Sequence, residues 1–298
     1  MTGFNTKNCW QKYWLRKGSD NTIQRILGQG VIILKNIVWL ASYPKSGNTW
    51  LRAIVYSALF GQMTIHELGG MIPNFAFFAS QLNGGKFESP GQIRHFWEQA
   101  QSQLCQSAGN DRVLLKTHTA AGIYDVGEFP SRKYSEKAVY VVRDPRDVAV
   151  SYSSHFGLSL ESAINSLINE SNINFKPKGL SRGEFLSSWG NHVNSWQHVP
   201  IPVLQLRFED LIENPAKHIT KVLTFLDIKP VITIEDIVTM TSFEKLSKQE
   251  RTEGFAEAGK NELFFRQGKK SQWMQFNDNN FEKLIVKFEP VMRSLGYL

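Results

Sequence analysis

The stretch Asn36-Ile37-Val38-Trp39-Leu40-Ala41-Ser42-Tyr43-Pro44-Lys45-Ser46-Gly47-Asn48-Thr49-Trp50 decides the fold. Its first part, Asn36 to Tyr43, is a β-branched and apolar run of the kind that forms a buried strand. Pro44 ends the run, and Thr49 to Phe60 carries an apolar stripe at helical spacing. Gly61 stands where a helix C-cap belongs. Lys45 to Thr49 therefore joins a strand to the start of a helix. Free backbone N–H groups at a helix N-terminus bind anions, and the helix dipole adds to them. Gly47 lets the backbone approach an anion closely, Lys45 supplies a movable positive charge, and Ser46, Asn48 and Thr49 offer polar contacts. The same residues also describe an ordinary strand-to-helix turn, so alone the stretch leaves both readings open. It is not a Walker A loop, because GxxxxGK[ST] is absent, and Gly28-Gln29-Gly30 lacks the third glycine of a dinucleotide fingerprint, with Ile33 in its place.

Outward from this stretch the alternation repeats. Arg112 to His118, Ala138 to Arg143 and Val203 to Phe208 read as strands; a helix follows from Pro145, and Asn214-Pro215 reads as an N-cap with proline at the first helical position. Strands alternating with helices predict an α/β fold with a central parallel sheet covered on both faces. Ligands of such sheets bind beyond the carboxyl ends of the strands, where Lys45, Lys116, His118 and Arg143 fall. Lys116 and His118 are two apart on one strand and share a face. A histidine there can act as a general base, with the lysine stabilising negative charge, although a lone strand-end histidine is more often structural. Asp144, Pro145 and Asp147 resemble a capping box, and Arg143 with Ser151 could converge on one phosphate. Residues Met63 to Glu98 lack clear periodicity and predict an irregular insertion forming a lid or pocket wall. Phe75, Phe77 and Phe78, with His155 and Phe156, are candidates for an apolar acceptor pocket, against the plainer reading that such aromatics are core.

The chain has 298 residues, 42% of them hydrophobic, enough for one large domain, and we read it as one, with residues 1–30 a loosely organised leader or first helix. A formal charge of +7 favours acidic partners, but the Lys and Arg residues form no long run, which disfavours nucleic acid and membrane surfaces. Two cysteines cannot build a disulfide framework and point to a reducing compartment. The apolar stretch from Val31 to Ala41 is too short to span a bilayer and no secretory pattern precedes it, so a cytoplasmic protein is expected.

Taken together, these segments resemble the cytosolic sulfotransferase family. Its Y-P-K-S-G-T-T-W loop is matched by Tyr43 to Trp50 with Asn48 the one change, its K-T-H strand by Lys116-Thr117-His118, and its Arg-to-Ser signature by Arg143 and Ser151. Thr241-Ser242-Phe243 and Arg266-Gln267-Gly268 follow in family order. The resemblance implies a P-loop-like sulfotransferase fold that moves a sulfuryl group from 3'-phosphoadenosine 5'-phosphosulfate (PAPS) to a hydroxyl, or an amine or amide nitrogen, of a small molecule, without a metal. It implies that Lys45 to Thr49 hold the 5'-phosphosulfate and that Trp50 and Phe243 flank the adenine, with Thr241 bonded to it. Arg143, Ser151, Arg266 and Gly268 would bind the 3'-phosphate, His118 would be the base, and Lys116 would steady the transferring group. Phe208 and Gln267 stand at nucleotide-contacting positions as departures, costing a hydroxyl and a positive charge. The usual C-terminal dimer element is not found, which leaves the oligomeric state open and suggests a distant, bacterial-type member. The alternatives are a nucleotide-dependent phosphotransferase, which would need Mg²⁺, and a basic nucleic-acid-binding module.

Overall fold

The structure, a computed structural model, describes residues 35–82, 87, 89–125, 127–174, 183–258, 263–265 and 268–298, together with the backbone of Trp14 and Leu15. Along the chain the strands are β1 (Trp14–Leu15), β2 (Ile37–Ser42), β3 (Arg112–Thr117), β4 (Gly122–Tyr124), β5 (Gly127–Phe129), β6 (Ser135–Val142), β7 (Ile173–Asn174), β8 (Glu184–Phe185) and β9 (Val203–Arg207). The helices are α1 (Asn48–Phe60), α2 (Ile65–Met71), α3 (Phe75–Gln81), α4 (Pro90–Arg94), α5 (Trp97–Ala108), α6 (Pro145–Phe156), α7 (Leu160–Ile168), α8 (Trp189–Gln197), α9 (Phe208–Glu213), α10 (Pro215–Phe225), α11 (Ile234–Met240), α12 (Phe243–Glu253) and α13 (Glu282–Ser294).

The main sheet has the order β1-β3-β2-β6-β9. Strands β3, β2, β6 and β9 run parallel, as expected. The departure is β1, which pairs antiparallel with β3 in a segment read from sequence as a leader or first helix; the rest of residues 1–30 lies outside the described residues. Every residue of β2 is buried, but alternate residues serve different layers. Ile37, Trp39 and Ala41 join one apolar core with Phe75, Trp97, Trp189 and Phe288, while Val38 and Leu40 join another with Leu51, Ile54, Val222 and Ile237. A central strand therefore reads as continuously hydrophobic because both of its faces are covered.

Three local readings are corrected. Residues 63–98, expected to be irregular, contain the short helices α2, α3 and α4 and the start of α5. Helices of seven, seven and five residues make at most two turns, too few for a 3.6-residue period to stand out. Asp144 does cap α6, accepting from the Arg146 N–H, but Asp147 completes no capping box; it accepts from the backbone N–H groups of Ser271 and Trp273 instead. The strand read as ending at Phe208 stops at Arg207, and Phe208 begins α9.

Phe75 and Phe78 are core residues rather than pocket lining. Phe75 is 1% exposed and meets Trp39 and Phe129 at ring-centroid distances of 5.2 and 5.4 Å; Phe77 packs on the same core from its edge. Among the described residues no helix is long and apolar enough to cross a membrane. Replacing Phe75 by Ala removes a buried ring from a three-aromatic cluster and is expected to lower unfolding stability by about 3–5 kcal/mol, read from a denaturant titration.

Candidate active site

A cavity of about 480 Å³ lies beyond the carboxyl ends of the parallel strands, in the size range of small-molecule sites. Each of the four strands delivers side chains to it. Pro44 and Lys45 come after β2, Lys116 and His118 from the end of β3, Arg143 after β6 and Phe208 after β9. The loop between β2 and α1 is held open by geometry. Gly47 has φ 107°, and a Cβ there would lie 2.6 Å from the Phe208 ring, so only glycine fits. Asn48 ties the loop back to its own strand by donating from Nδ2 to the Leu40 carbonyl at 2.9 Å. Its Oδ1 and the hydroxyl of Ser46 are buried without a hydrogen-bond partner among the described residues. Buried polar groups are rarely left so. Of the two only the Ser46 hydroxyl can donate, and with the free N–H groups of α1 it makes a cradle suited to an anion bearing several oxygens.

Lys45 Nζ stands 3.8 Å above the centre of the Phe264 ring. Burial lowers the Lys45 pKa to about 7, with Lys116 and Arg143 adding repulsion and Glu257 partly offsetting it. Arg143 is 5% exposed; its guanidinium donates to the Lys45 and Lys269 carbonyls and lies 4.5 Å from the centre of the Phe208 ring. His118 Nδ1 is 2.7 Å from the Ser42 carbonyl oxygen, which fixes the N–H at Nδ1 and leaves Nε2 with its lone pair. Burial, reinforced by the charge of Lys116, lowers the His118 pKa well below the usual histidine range, so the ring is neutral and can accept a proton. His192, fully buried in α8, holds the backbone of His118 through a contact of 3.0 Å between its Nε2 and the His118 carbonyl, while its Nδ1 meets the Tyr140 hydroxyl at 2.9 Å.

Of the other residues expected here, Asn48, Thr49, Trp50, Ser151, Phe243, Gly268, His155 and Phe156 line the cavity. Gly268 has φ 57°, and a Cβ on it would lie 2.1 Å from the Phe243 ring. Arg266 and Gln267 lie outside the described residues. Thr241 is 1% exposed; its hydroxyl donates to the Ile237 carbonyl and its own carbonyl accepts from the Trp50 indole, so it anchors the ring. Trp50 and Phe243 touch edge to face with centroids 4.8 Å apart. A flat base stacked between two rings needs two gaps of about 3.5 Å, so these rings must part to admit one.

Sequence reasoning missed two carboxylates. Glu257, in the loop after α12, accepts from Arg52 Nη2 at 2.6 and 2.7 Å and from the Thr49 hydroxyl at 3.1 Å. Burial alone would raise its pKa, but Arg52, Lys116 and these hydrogen bonds hold it well below the usual carboxylate range. Glu184, the first residue of β8, lines the same cavity. A lone Glu in a Gly-Phe-Ala-Glu-Ala loop or a two-residue strand carries no local signal.

With this geometry in place, comparison with known proteins is informative. Residues 35–295 match the family described as the sulfotransferase domain. Rat sulfotransferase 1A1 is 29% identical over 212 residues, 70% of this chain and 66% of the rat protein's length. Flavonol 3-sulfotransferase of Flaveria bidentis is 26% identical over 285 residues, 88% of this chain and 83% of the plant protein. Among solved structures, retinol dehydratase in complex with androsterone and the inactive cofactor PAP superposes with a TM-score of 0.58 at 19% identity, covering 86% of this chain and 80% of that one. Mouse sulfotransferase SULT7A1 complexed with PAP gives 0.55 at 20%, covering 87% and 86%. At these identities the superpositions speak for the fold.

The Arg52–Glu257 pair offers a direct check on the electrostatics. The Arg52 side chain is 1% exposed and that of Glu257 24%. Glu257→Ala would strand a buried guanidinium and is expected to cost roughly 2–4 kcal/mol, while the double substitution Arg52→Met with Glu257→Leu should recover most of it in thermal and denaturant unfolding.

Proposed function

Because the chain belongs to the sulfotransferase domain family, we propose that it transfers a sulfuryl group from PAPS to a nucleophile, a hydroxyl in the first instance, on a small molecule. The observation that carries this is the convergence of Lys45, Lys116 and a neutral His118 with the N-terminus of α1 on one cavity. The donor supplies an activated sulfuryl group on a phosphate. Lys45, the orphaned Ser46 hydroxyl and the α1 N–H groups suit its 5' end, and Arg143, Ser151 and Gly268 suit its 3'-phosphate. Nε2 of His118 takes the acceptor proton as the new oxygen–sulfur bond forms. The old sulfur–oxygen bond breaks toward the phosphate, whose new charge Lys45 neutralises. Lys116 steadies the group in transit. Such chemistry needs positioning and charge stabilisation. It needs no metal ion in this scheme. A cytoplasmic setting belongs to the same proposal, in keeping with the free buried thiol of Cys105.

An assay of 3'-phosphoadenosine 5'-phosphate (PAP) release with an acceptor panel tests this. His118→Ala is expected to lower turnover by about 10²–10⁴-fold, and Lys45→Ala by about 10²–10³-fold. Full activity in both variants would exclude the mechanism. Turnover of the wild type should survive EDTA; turnover of ATP that EDTA abolishes would favour a phosphotransferase instead.

Two pH effects follow. In the free protein the Lys45 pKa is about 7; a bound anion raises it, because it favours the charged amine. Affinity for PAP should therefore be greatest below pH 7 and fall as pH rises through 7, with protons taken up on binding at pH 8. Calorimetry in buffers of different ionisation enthalpy reads that uptake, which Lys45→Gln should abolish. With the His118 pKa pushed down, the acid limb of kcat/KM should lie below pH 6.5, the ordinary histidine value.

A further inference from the structure

The cavity wall built by β7 and β8 carries a buried carboxylate that the transfer scheme does not use. Glu184 is 1% exposed yet lines the cavity together with Asn174. It sits beside the strand that bears the base. Asn74 Nδ2 donates to its Oε1 at 2.8 Å, and Asn74 itself bridges to Lys116. The neighbouring Phe185 carbonyl accepts the N–H of Ala120, two residues beyond His118, at 2.7 Å. Asn174 Nδ2 donates to Oε2 at 3.1 Å. Each carboxyl oxygen thus accepts from one side-chain amide.

Glu257, the other acid that lines the cavity, is matched to a cation, Arg52; nearby, Asp144 pairs with Arg146 and Asp147 with Arg143, while Glu250 is held by the backbone N–H groups of Phe264 and Phe265. The hydrogen-bond partners of Glu184 among the described residues are two neutral amides. A buried charge held this way retains much of its desolvation cost until a cation arrives. A carboxylate has about four lone-pair sites, and two are used here. An anionic donor is repelled by this wall, which leaves the acceptor to supply the match.

We propose that Glu184 anchors a protonated amine on the acceptor, so that the substrates are small molecules bearing an ammonium group as well as the nucleophilic hydroxyl. This rests on the reading of the cavity as a sulfuryl-transfer site. The test compares matched phenols, 4-ethylphenol with tyramine and 4-propylphenol with 4-(3-aminopropyl)phenol, at pH 7.5 with PAPS present. The wild type should favour the amine of at least one pair by tenfold or more in kcat/KM, and Glu184→Gln should bring that ratio close to one. Calorimetric binding of PAP to the variant reports whether the donor end is intact. Release of PAP without preference in the wild type, or an unchanged ratio in Glu184→Gln, overturns the anchor alone. No release with any acceptor overturns the transfer reading and the anchor with it. Should Glu184→Gln fail to fold, the wild-type ratios decide: values near one in both pairs overturn the anchor.

Discussion

Lys45, Lys116 and Arg143 crowd the carboxyl ends of three adjacent parallel strands, and like charges held that close repel one another. Burial makes the repulsion worse, because little water remains to screen it. Much of the surrounding structure answers this cost. Glu257 is drawn to the helix that starts the cradle, Asp147 lies 3.7 Å from Arg143, and Lys45 rests on the face of Phe264. What these partners leave uncompensated is the demand for an anion, which is the property a donor site requires.

The parts that hold the chemistry are set by backbone as much as by side chains. Asn48 fastens the cradle to the strand before it, so the loop keeps its shape through its own contacts. The Ser42 carbonyl selects the tautomer of His118, and the Tyr140–His192 pair fixes the stretch of chain that carries it. Asp147 does the same for residues 271 and 273, which follow Gly268 in the chain. Each tether removes freedom before any ligand arrives, which is how binding energy is reserved for the reacting group.

What the sequence disclosed depended on how local the cause was. The cradle was legible because Pro44, Gly47 and Gly61 each impose a backbone conformation that few other residues tolerate. The strands β2, β3 and β6 were legible because burial on both faces leaves unbroken apolar runs. Helices α2 to α4 were not, being shorter than the period that betrays a helix. Phe75 was read toward the pocket because composition cannot tell which side of a wall a ring occupies; its contacts with Trp39 and Phe129 come from segments 36 and 54 residues away. Glu184 and Glu257 take their meaning from Asn74 and Arg52, which lie 110 and 205 residues away in sequence. Asp147 belonged to a motif by spacing but to a distant loop by contact.

The hairpin of β7 and β8 stands outside the main sheet, and it brings Asn174 and Glu184 to the cavity. The cations come from the ends of the sheet strands or the loops just after them. Inheritance can therefore act on the two halves of the cavity at different speeds. On the proposed roles, a lineage that alters two short strands would change what it accepts while leaving its use of the nucleotide untouched. Such a division of labour lets one scaffold diversify by exchanging a small peripheral ribbon, with the costly central frame passed on intact.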